Sequence, residues 1–101
     1  MKAFVLSPEA EEDVWNIWQY LAQEAGLAVA GRVEATLFAK MELLAGMPGI
    51  GHWRRDLSGE PVKFFSVYSY LIVYRPETNP MQVVAILHGQ RDIERLLKER
   101  L

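Results

Sequence analysis

The 101-residue chain contains no cysteine. This absence excludes a disulfide scaffold, a thiol nucleophile and any zinc site built on cysteine ligands. It also fits a reducing compartment, and we expect the protein in the cytoplasm. No apolar run approaches the ~18 residues of a membrane span, and the run at residues 3–6 is too short for the core of a signal peptide. The sequence therefore predicts a protein with no membrane partner.

A strong positive charge is missing as well, because the formal net charge is −2. Residues 1–50 carry three Lys or Arg against seven Asp or Glu, a net charge of −4, and residues 51–101 carry eight against six, a net charge of +2. Proteins that bind the nucleic-acid backbone usually have a pronounced basic stripe. We therefore expect no direct nucleic-acid binding, whereas the mildly basic second half suits an acidic peptide or protein surface.

Several motifs that carry catalysis are also absent. The chain has no phosphate-binding glycine loop, no HExxH, no GxSxG and no carboxylate pair at catalytic spacing. We expect neither a metal nor a cofactor. What the chain does have is 50% hydrophobic and 24% charged residues, a composition that builds a folded core. Its length predicts a single domain over residues 1–101.

Two helices are predicted in the first half of the chain. Ser7 can cap a helix, Pro8 suits the first helical position, and Gly26 can end the helix, which predicts residues 8–25 as helical. A second helix is predicted to follow and to end near Gly46. It is indicated by apolar residues that recur every three or four positions: Ala30, Val33, Leu37, Met41 and Leu44. The short connection implies an antiparallel helical hairpin.

The remaining chain is predicted to be rich in strands. We predict strands at residues 2–6, 62–68, 70–75 and 81–88, and a short extended piece at 53–57. The continuous apolar run at 83–87 is typical of a strand that is buried on both faces. Asp92 can cap a last helix that runs through Arg100. The order of elements predicts an α+β fold, in which an N-terminal strand and a helical hairpin pack on a mostly antiparallel sheet with a short C-terminal helix.

Three segments, in this order and at these separations, resemble the ParE branch of the RelE/ParE toxin superfamily: LSPEAEEDVWNIWQYL, MPGIGHWRRDL and VVAILHGQRDIERLL. The resemblance covers essentially the whole chain. It implies the toxin of a type II toxin–antitoxin module, bound and neutralised by a ParD-like antitoxin in a hetero-oligomer. ParE-type members inhibit DNA gyrase, whereas RelE-type members enter the ribosomal A site and cut mRNA.

The resemblance also bears on whether the protein is an enzyme. RelE-type nucleases use Arg, Lys and a C-terminal Tyr to cleave RNA without a metal. Where they carry an Arg inside the Tyr-rich strand this chain has Leu71, and where they carry the Tyr it has Leu97. Arg91 is the one residue that matches. Because leucine can neither stabilise a phosphorane nor move a proton, we expect a toxin that binds its target and is not an enzyme.

Two alternatives stay open. The first is a RelE-like, ribosome-dependent mRNA endonuclease, for which Arg91, Lys63 and His88 are the candidate catalytic residues. Against it, His88 ends a buried strand and is expected to be a hydrogen-bonded structural residue, and His52 is expected to be a solvated loop residue. The second alternative is a ParE-like chain that is no longer toxic and survives as a partner of its antitoxin.

Candidate contact residues follow from exposure and from the resemblance. Trp15 lies off the main apolar stripe of the first helix and is a candidate anchor for the antitoxin. Arg54 and Arg55 are candidates for docking an acidic part of the antitoxin. The C-terminal region matters for toxicity in ParE-like toxins, which makes four cations candidate gyrase contacts: Arg91, Arg95, Lys98 and Arg100.

Overall fold

The structure, a computed structural model, describes residues 3–101. Its elements, in chain order, are β1 (Phe4–Leu6), α1 (Pro8–Ala25), α2 (Leu27–Gly46), a 3₁₀ turn (Pro48–Ile50), β2 (Lys63–Val67), β3 (Tyr70–Arg75), β4 (Met81–His88) and α3 (Ile93–Arg100). The predicted α+β class, the helical hairpin and the C-terminal helix are confirmed. Within residues 3–101, no helix has both the length and the apolar character needed to cross a membrane.

The caps of α1 and α3 are those predicted from the sequence. The Ser7 hydroxyl accepts a hydrogen bond from the Ala10 N–H, and the Asp92 carboxylate accepts one from the Arg95 N–H. Each bond satisfies one of the backbone donors left free at a helix start. Gly26 separates α1 from α2 at φ 95°, a conformation that a residue with a Cβ rarely adopts.

The sheet has the strand order β1-β4-β3-β2. The pairs β2–β3 and β3–β4 are antiparallel, and β1 lies parallel to β4. The sheet is therefore mixed and mostly antiparallel, as predicted. The prediction of an extended piece at 53–57 is wrong: an isolated bridge joins His52 to Phe64 and turns follow it. Predicted strand residue Lys2 lies outside the described residues.

Two apolar layers cover the two faces of the sheet. One face packs against the helical hairpin, through residues such as Leu37, Met41, Ile72 and Ile86. The other face packs against α3, whose Ile93 and Leu97 cluster with Val62, which directly precedes β2, and with four sheet residues: Phe64, Val73, Ala85 and Leu87. The central strand β4 contributes to both layers, which confirms that residues 83–87 are buried on both faces. The helices α1 and α3 thus lie on opposite sides of β4.

Candidate interaction surfaces

A buried ion pair joins α1 to the end of α3. Arg100 donates from Nη1 to Asp13 Oδ2 at 2.6 Å and from Nη2 to Asp13 Oδ1 at 2.7 Å. Both side chains are largely removed from water, with 18% of the Arg100 side chain and 10% of the Asp13 side chain exposed. Hydrogen bonding to Asp13 is the main cause that raises the pKa of Arg100. A two-point pair of this kind fixes orientation as well as distance.

The ion pair lies where β4 loses its neighbouring strand. Among the described residues, β1 pairs only with residues 81–83 of β4, and the edge beyond has no strand beside it. Asp13 Oδ2 accepts the Ile86 N–H at 2.9 Å, and the Val84 carbonyl accepts from the Ser7 hydroxyl and from Arg100. Side chains therefore satisfy backbone groups that a longer β1 would have paired, at an edge that would otherwise be open to further strands.

Arg100 thus has a structural role that the sequence reasoning did not assign, since it was a candidate gyrase contact. Asp13 was not among the candidate residues either. A signal was present: Asp13 lies three residues after Ala10 and four before Ile17, on the apolar stripe of the helix. A carboxylate on a buried stripe needs a cationic partner or hydrogen-bond donors.

The positions aligned with RelE nuclease residues lie in an apolar layer. Leu97 is 1% exposed and belongs to the cluster between α3 and the sheet, and the half-buried Leu71 packs against it. Val62 and Phe64, which flank Lys63, lie in the same cluster. The helix α3 therefore covers the sheet face on which those polar groups would have to meet RNA. The most buried members of this layer, such as Leu97, are closed to water and to a phosphate group.

The three residues of the nuclease alternative are not brought together. Lys63 is opposite Tyr74 at one end of the β2–β3 ladder, and its Nζ donates to the Gly49 carbonyl. His88 is opposite Tyr70, at the other end of the sheet. The His88 Nδ1 accepts the Gln90 N–H at 3.2 Å, which agrees with the expected structural, hydrogen-bonded histidine. Among residues 3–101 there is likewise no cluster of three side chains able to hold a metal ion.

A buried tyrosine anchors the loop that carries the arginine pair. The Tyr74 hydroxyl donates to the Pro48 carbonyl at 2.7 Å and accepts the Gly51 N–H at 3.0 Å. A Cβ at position 51 would overlap this hydroxyl, so the close approach requires glycine there. Burial raises the pKa of Tyr74. The loop after α2 is thus fixed to the sheet immediately before Trp53 and the arginines.

Two cations lie close to the ring of Trp53. The Arg55 guanidinium and the Lys63 ammonium lie 4.8 Å and 4.9 Å from the centre of the indole ring. Such contacts attract a cation to the negative face of the ring. Arg54 instead pairs with Asp56, at 2.8 Å, and its hydrogen bonds lower the pKa of Asp56. Of the two arginines predicted to contact the antitoxin, Arg55 is therefore part of an aromatic–cation cluster and Arg54 is paired with an acid.

Trp15 is exposed, as expected, with 56% of its surface accessible. Its ring stacks on Trp18, with 5.7 Å between ring centres and an interplanar angle of 4°. Trp18 is half-buried and forms the inner member of this stack. The pair presents a flat aromatic surface on α1.

The predicted gyrase contacts fall in different places. Arg91 lines a groove of about 480 Å³ together with His88, Tyr20 and Tyr68. Lys98 lines a cleft of about 410 Å³ beside Arg55, and so lies next to the predicted antitoxin contacts. Arg95 is exposed on α3, and its guanidinium is 3.8 Å from Asp92. Only Arg100 is withdrawn from the surface.

Tyr68 was not singled out by the sequence reasoning. It occupies the tight turn between β2 and β3 at φ 54°, and 65% of it is exposed. A bulky side chain in the left-handed region is strained, because its Cβ crowds the backbone. The turn places the aromatic ring of Tyr68 at the rim of the Arg91 groove. The sequence did not indicate this turn, because two-residue hairpin turns are usually marked by Gly or Asn and this one contains a tyrosine.

The element order and the mixed sheet define a small α+β domain of the RelE/ParE class. A family model described as "ParE toxin of type II toxin-antitoxin system, parDE" matches residues 4–93. Toxin ParE1 of Caulobacter vibrioides is 35% identical over 75 residues, which cover 66% of this chain and 78% of that protein. The chain belongs to the ParE toxin family of type II toxin–antitoxin systems.

A solved structure supports the fold. The chain matches one titled "Chromosomal ParDE TA system from P. aeruginosa" with a TM-score of 0.74. The match covers 89% of this chain and 98% of the other, at 14% sequence identity. At this identity the similarity shows a shared fold alone. The two chains have this fold in common although most of their side chains differ.

Proposed function

We propose that this protein is a toxin that inhibits DNA gyrase by binding to it, and that a ParD-like antitoxin neutralises it in a hetero-oligomeric complex. Both activities would take place in the cytoplasm. Membership of the ParE toxin family supports the toxin–antitoxin role. Gyrase is the target that the resemblance to ParE-type toxins implies, and no cofactor is needed for inhibition by binding.

The apolar layer under α3 is the observation that favours a toxin that acts by binding its target and not by catalysis. Leu97, Leu71 and the residues beside Lys63 pack together there, where a RelE-type nuclease needs cations and a proton donor. Burying an unpaired charge in such a layer would cost several kcal/mol, so the layer cannot serve as a latent active site. The protein would therefore act through its surface.

The position of Arg91 favours the second candidate function, that of a ribosome-dependent mRNA endonuclease. Arg91 lies near His88 in an open groove that also contains tyrosine side chains, and these groups could contact a phosphate. Lys63, the third residue of that candidate, lies at the other end of the sheet. The groove thus offers a binding surface but lacks the second cation of the nuclease pattern.

A supercoiling assay tests the proposal. Toxin freed of antitoxin is added to purified gyrase, ATP and relaxed plasmid, and the products are separated after detergent treatment. We expect loss of supercoiling and an increase in linear DNA. Toxin that is pre-mixed with its ParD-like antitoxin serves as the control and should restore supercoiling.

Undiminished supercoiling in the presence of folded, antitoxin-free toxin would refute gyrase inhibition. A ribosome assay with mRNA then separates the remaining candidates. Cleavage that is lost in Arg91→Ala would establish the endonuclease, whereas intact mRNA and unaffected gyrase would identify a non-toxic antitoxin partner. Circular dichroism of each preparation confirms that the toxin is folded.

A further inference from the structure

The described part of the chain contains a large groove beside its first strand. The groove has a volume of about 990 Å³ and runs between β1, the start of α1 and the middle of α2. Its apolar floor includes Phe4 and Phe38, whose ring centres lie 6.2 Å apart. β1 is an outer strand of the sheet, so the groove is open along that side. An apolar groove of this size suits a peptide segment of a partner.

The charged residues that line the groove, within residues 3–101, are Glu11 and Glu42. Both are exposed and neither forms an ion pair with another described residue. The helix α1 as a whole carries five acidic residues and no Lys or Arg. Asp13 is the one of these whose charge is neutralised directly, by Arg100. Within residues 3–101, the rim of the groove is therefore acidic.

The Trp15–Trp18 stack continues this surface along α1. Trp15 lies four residues after Glu11, so the two side chains are neighbours on one face of the helix. One face of the Trp15 ring rests on Trp18, and the exposure of Trp15 leaves its other face open. An open indole face beside a carboxylate attracts a cationic side chain twice, through the ring quadrupole and through the negative charge.

We propose that this acidic groove receives a cationic, amphipathic segment of the neutralising antitoxin. Apolar residues of the segment would pack on Phe4 and Phe38, and its Lys or Arg side chains would pair with Glu11 and Glu42 and cover Trp15. The inference rests on the proposed neutralisation by an antitoxin and adds the chemistry of the contact. The antitoxin segment at this groove would have the opposite charge to the acidic segment expected at the Arg54–Arg55 loop.

Binding measurements on charge-neutralised variants test this. The purified antitoxin of the same module is titrated into wild-type toxin, into E11Q/E42Q and into E24Q, by calorimetry at low salt and at about 300 mM salt. Glu24 lies at the far end of α1, outside the groove, so E24Q is the matched control for loss of a helix carboxylate. Circular dichroism and thermal melting of all three proteins check their folding.

We expect affinity at low salt to fall about tenfold in E11Q/E42Q, as for the loss of two partly desolvated charge pairs. The double variant should also lose much of the salt dependence, whereas E24Q should follow the wild type. A folded E11Q/E42Q that binds with unchanged affinity and unchanged salt dependence would overturn the proposal. Affinity that rises when Glu11 and Glu42 are neutralised would do so too, because it would indicate an acidic occupant.

A second readout tests the indole contact without touching the carboxylates. Trp15→Phe keeps an aromatic ring but weakens the attraction for a cation, whereas Trp15→Leu removes it. Antitoxin affinity should fall in the order wild type, Phe, Leu, and equal affinities would contradict a cation at this ring. Gyrase inhibition by the wild-type toxin is measured separately. A negative gyrase result with positive binding data would refute the proposed target and leave the groove assignment intact.

Discussion

Asp13 and Arg100 are 87 positions apart in the chain, and they form a two-point ion pair around the free edge of β4. Asp13 belongs to the helix on one face of the sheet and Arg100 to the helix on the other. The same carboxylate holds the Ile86 N–H, so the pair joins three elements. It places α3 over the apolar layer, and α3 in turn presents Arg95 and Lys98 at the surface.

Removing one partner of this pair should be strongly destabilising. Arg100→Met leaves the Asp13 carboxylate buried without its counter-ion, and we expect a loss of about 3–5 kcal/mol in the free energy of unfolding. Asp13→Asn keeps an oxygen acceptor for the Ile86 N–H but leaves the guanidinium unpaired, so its cost should be somewhat smaller. Urea denaturation of each variant measures the change.

The double variant Asp13→Asn with Arg100→Met separates the pair energy from the single losses. We expect it to be clearly more stable than the sum of the two single effects predicts, because no unpaired charge remains. Arg95→Met, on the exposed side of α3, is the control and should change stability little. Additive losses in the double variant would mean that the two residues act independently.

The contact between Tyr74 and Gly51 should matter for stability. Tyr74→Phe removes the donor to Pro48 and the acceptor for the Gly51 N–H, and we expect a loss of about 1–3 kcal/mol. Gly51→Ala should cost more than Tyr74→Phe, since its methyl group would force the fully buried ring to move. Thermal and urea unfolding measure both effects. Tyr68→Phe, at an exposed tyrosine, is the control, and an equal loss there would argue against a specific role for Tyr74.

Stability should fall at alkaline pH, partly because of Tyr74. Burial raises the pKa of Tyr74 above the ordinary value of 10.0, so the folded state favours the neutral phenol. The stability that this group contributes is fully present below pH 10 and is lost as pH rises through the folded pKa. Burial raises the pKa of Tyr70 in the same direction. Melting temperatures between about pH 8 and 11 should therefore fall, and less steeply in Tyr74→Phe. An identical slope in that variant would contradict the assignment.

Arg95 should contribute to gyrase inhibition more than an equivalent arginine elsewhere. Arg95→Ala removes an exposed cation from α3, and we expect the toxin concentration for half-inhibition to rise about threefold to tenfold, as for a rim charge in an interface. Arg32→Ala, an exposed helical arginine on α2, is the matched control. The supercoiling assay measures both, with melting temperatures to check folding. Equal inhibition by the two variants would remove α3 from the proposed contact surface.

Much of the fold follows from local patterns in the sequence. Ser7-Pro8 and Gly26 fix the ends of α1, Asp92 caps α3, and helical spacing identifies the apolar residues of both long helices. These signals involve residues within a few positions of each other, so the sequence displays them directly. The bounds of β3 and β4 also agree with prediction. The prediction of an extended piece at 53–57 failed because the backbone turns there, with the Arg54 carbonyl accepting the N–H groups of Leu57 and Ser58.

By itself, the sequence determined the class of fold, the order of the elements and the apolar character of the positions where a nuclease would need polar groups. The tertiary structure decided what those residues do. It paired Arg100 with Asp13, placed Lys63 and His88 at opposite ends of the sheet, and brought Glu11 and Glu42 from two helices to one groove. The reason is physical: such pairings depend on how helices cross the sheet, and local sequence patterns do not encode contacts between residues far apart in the chain.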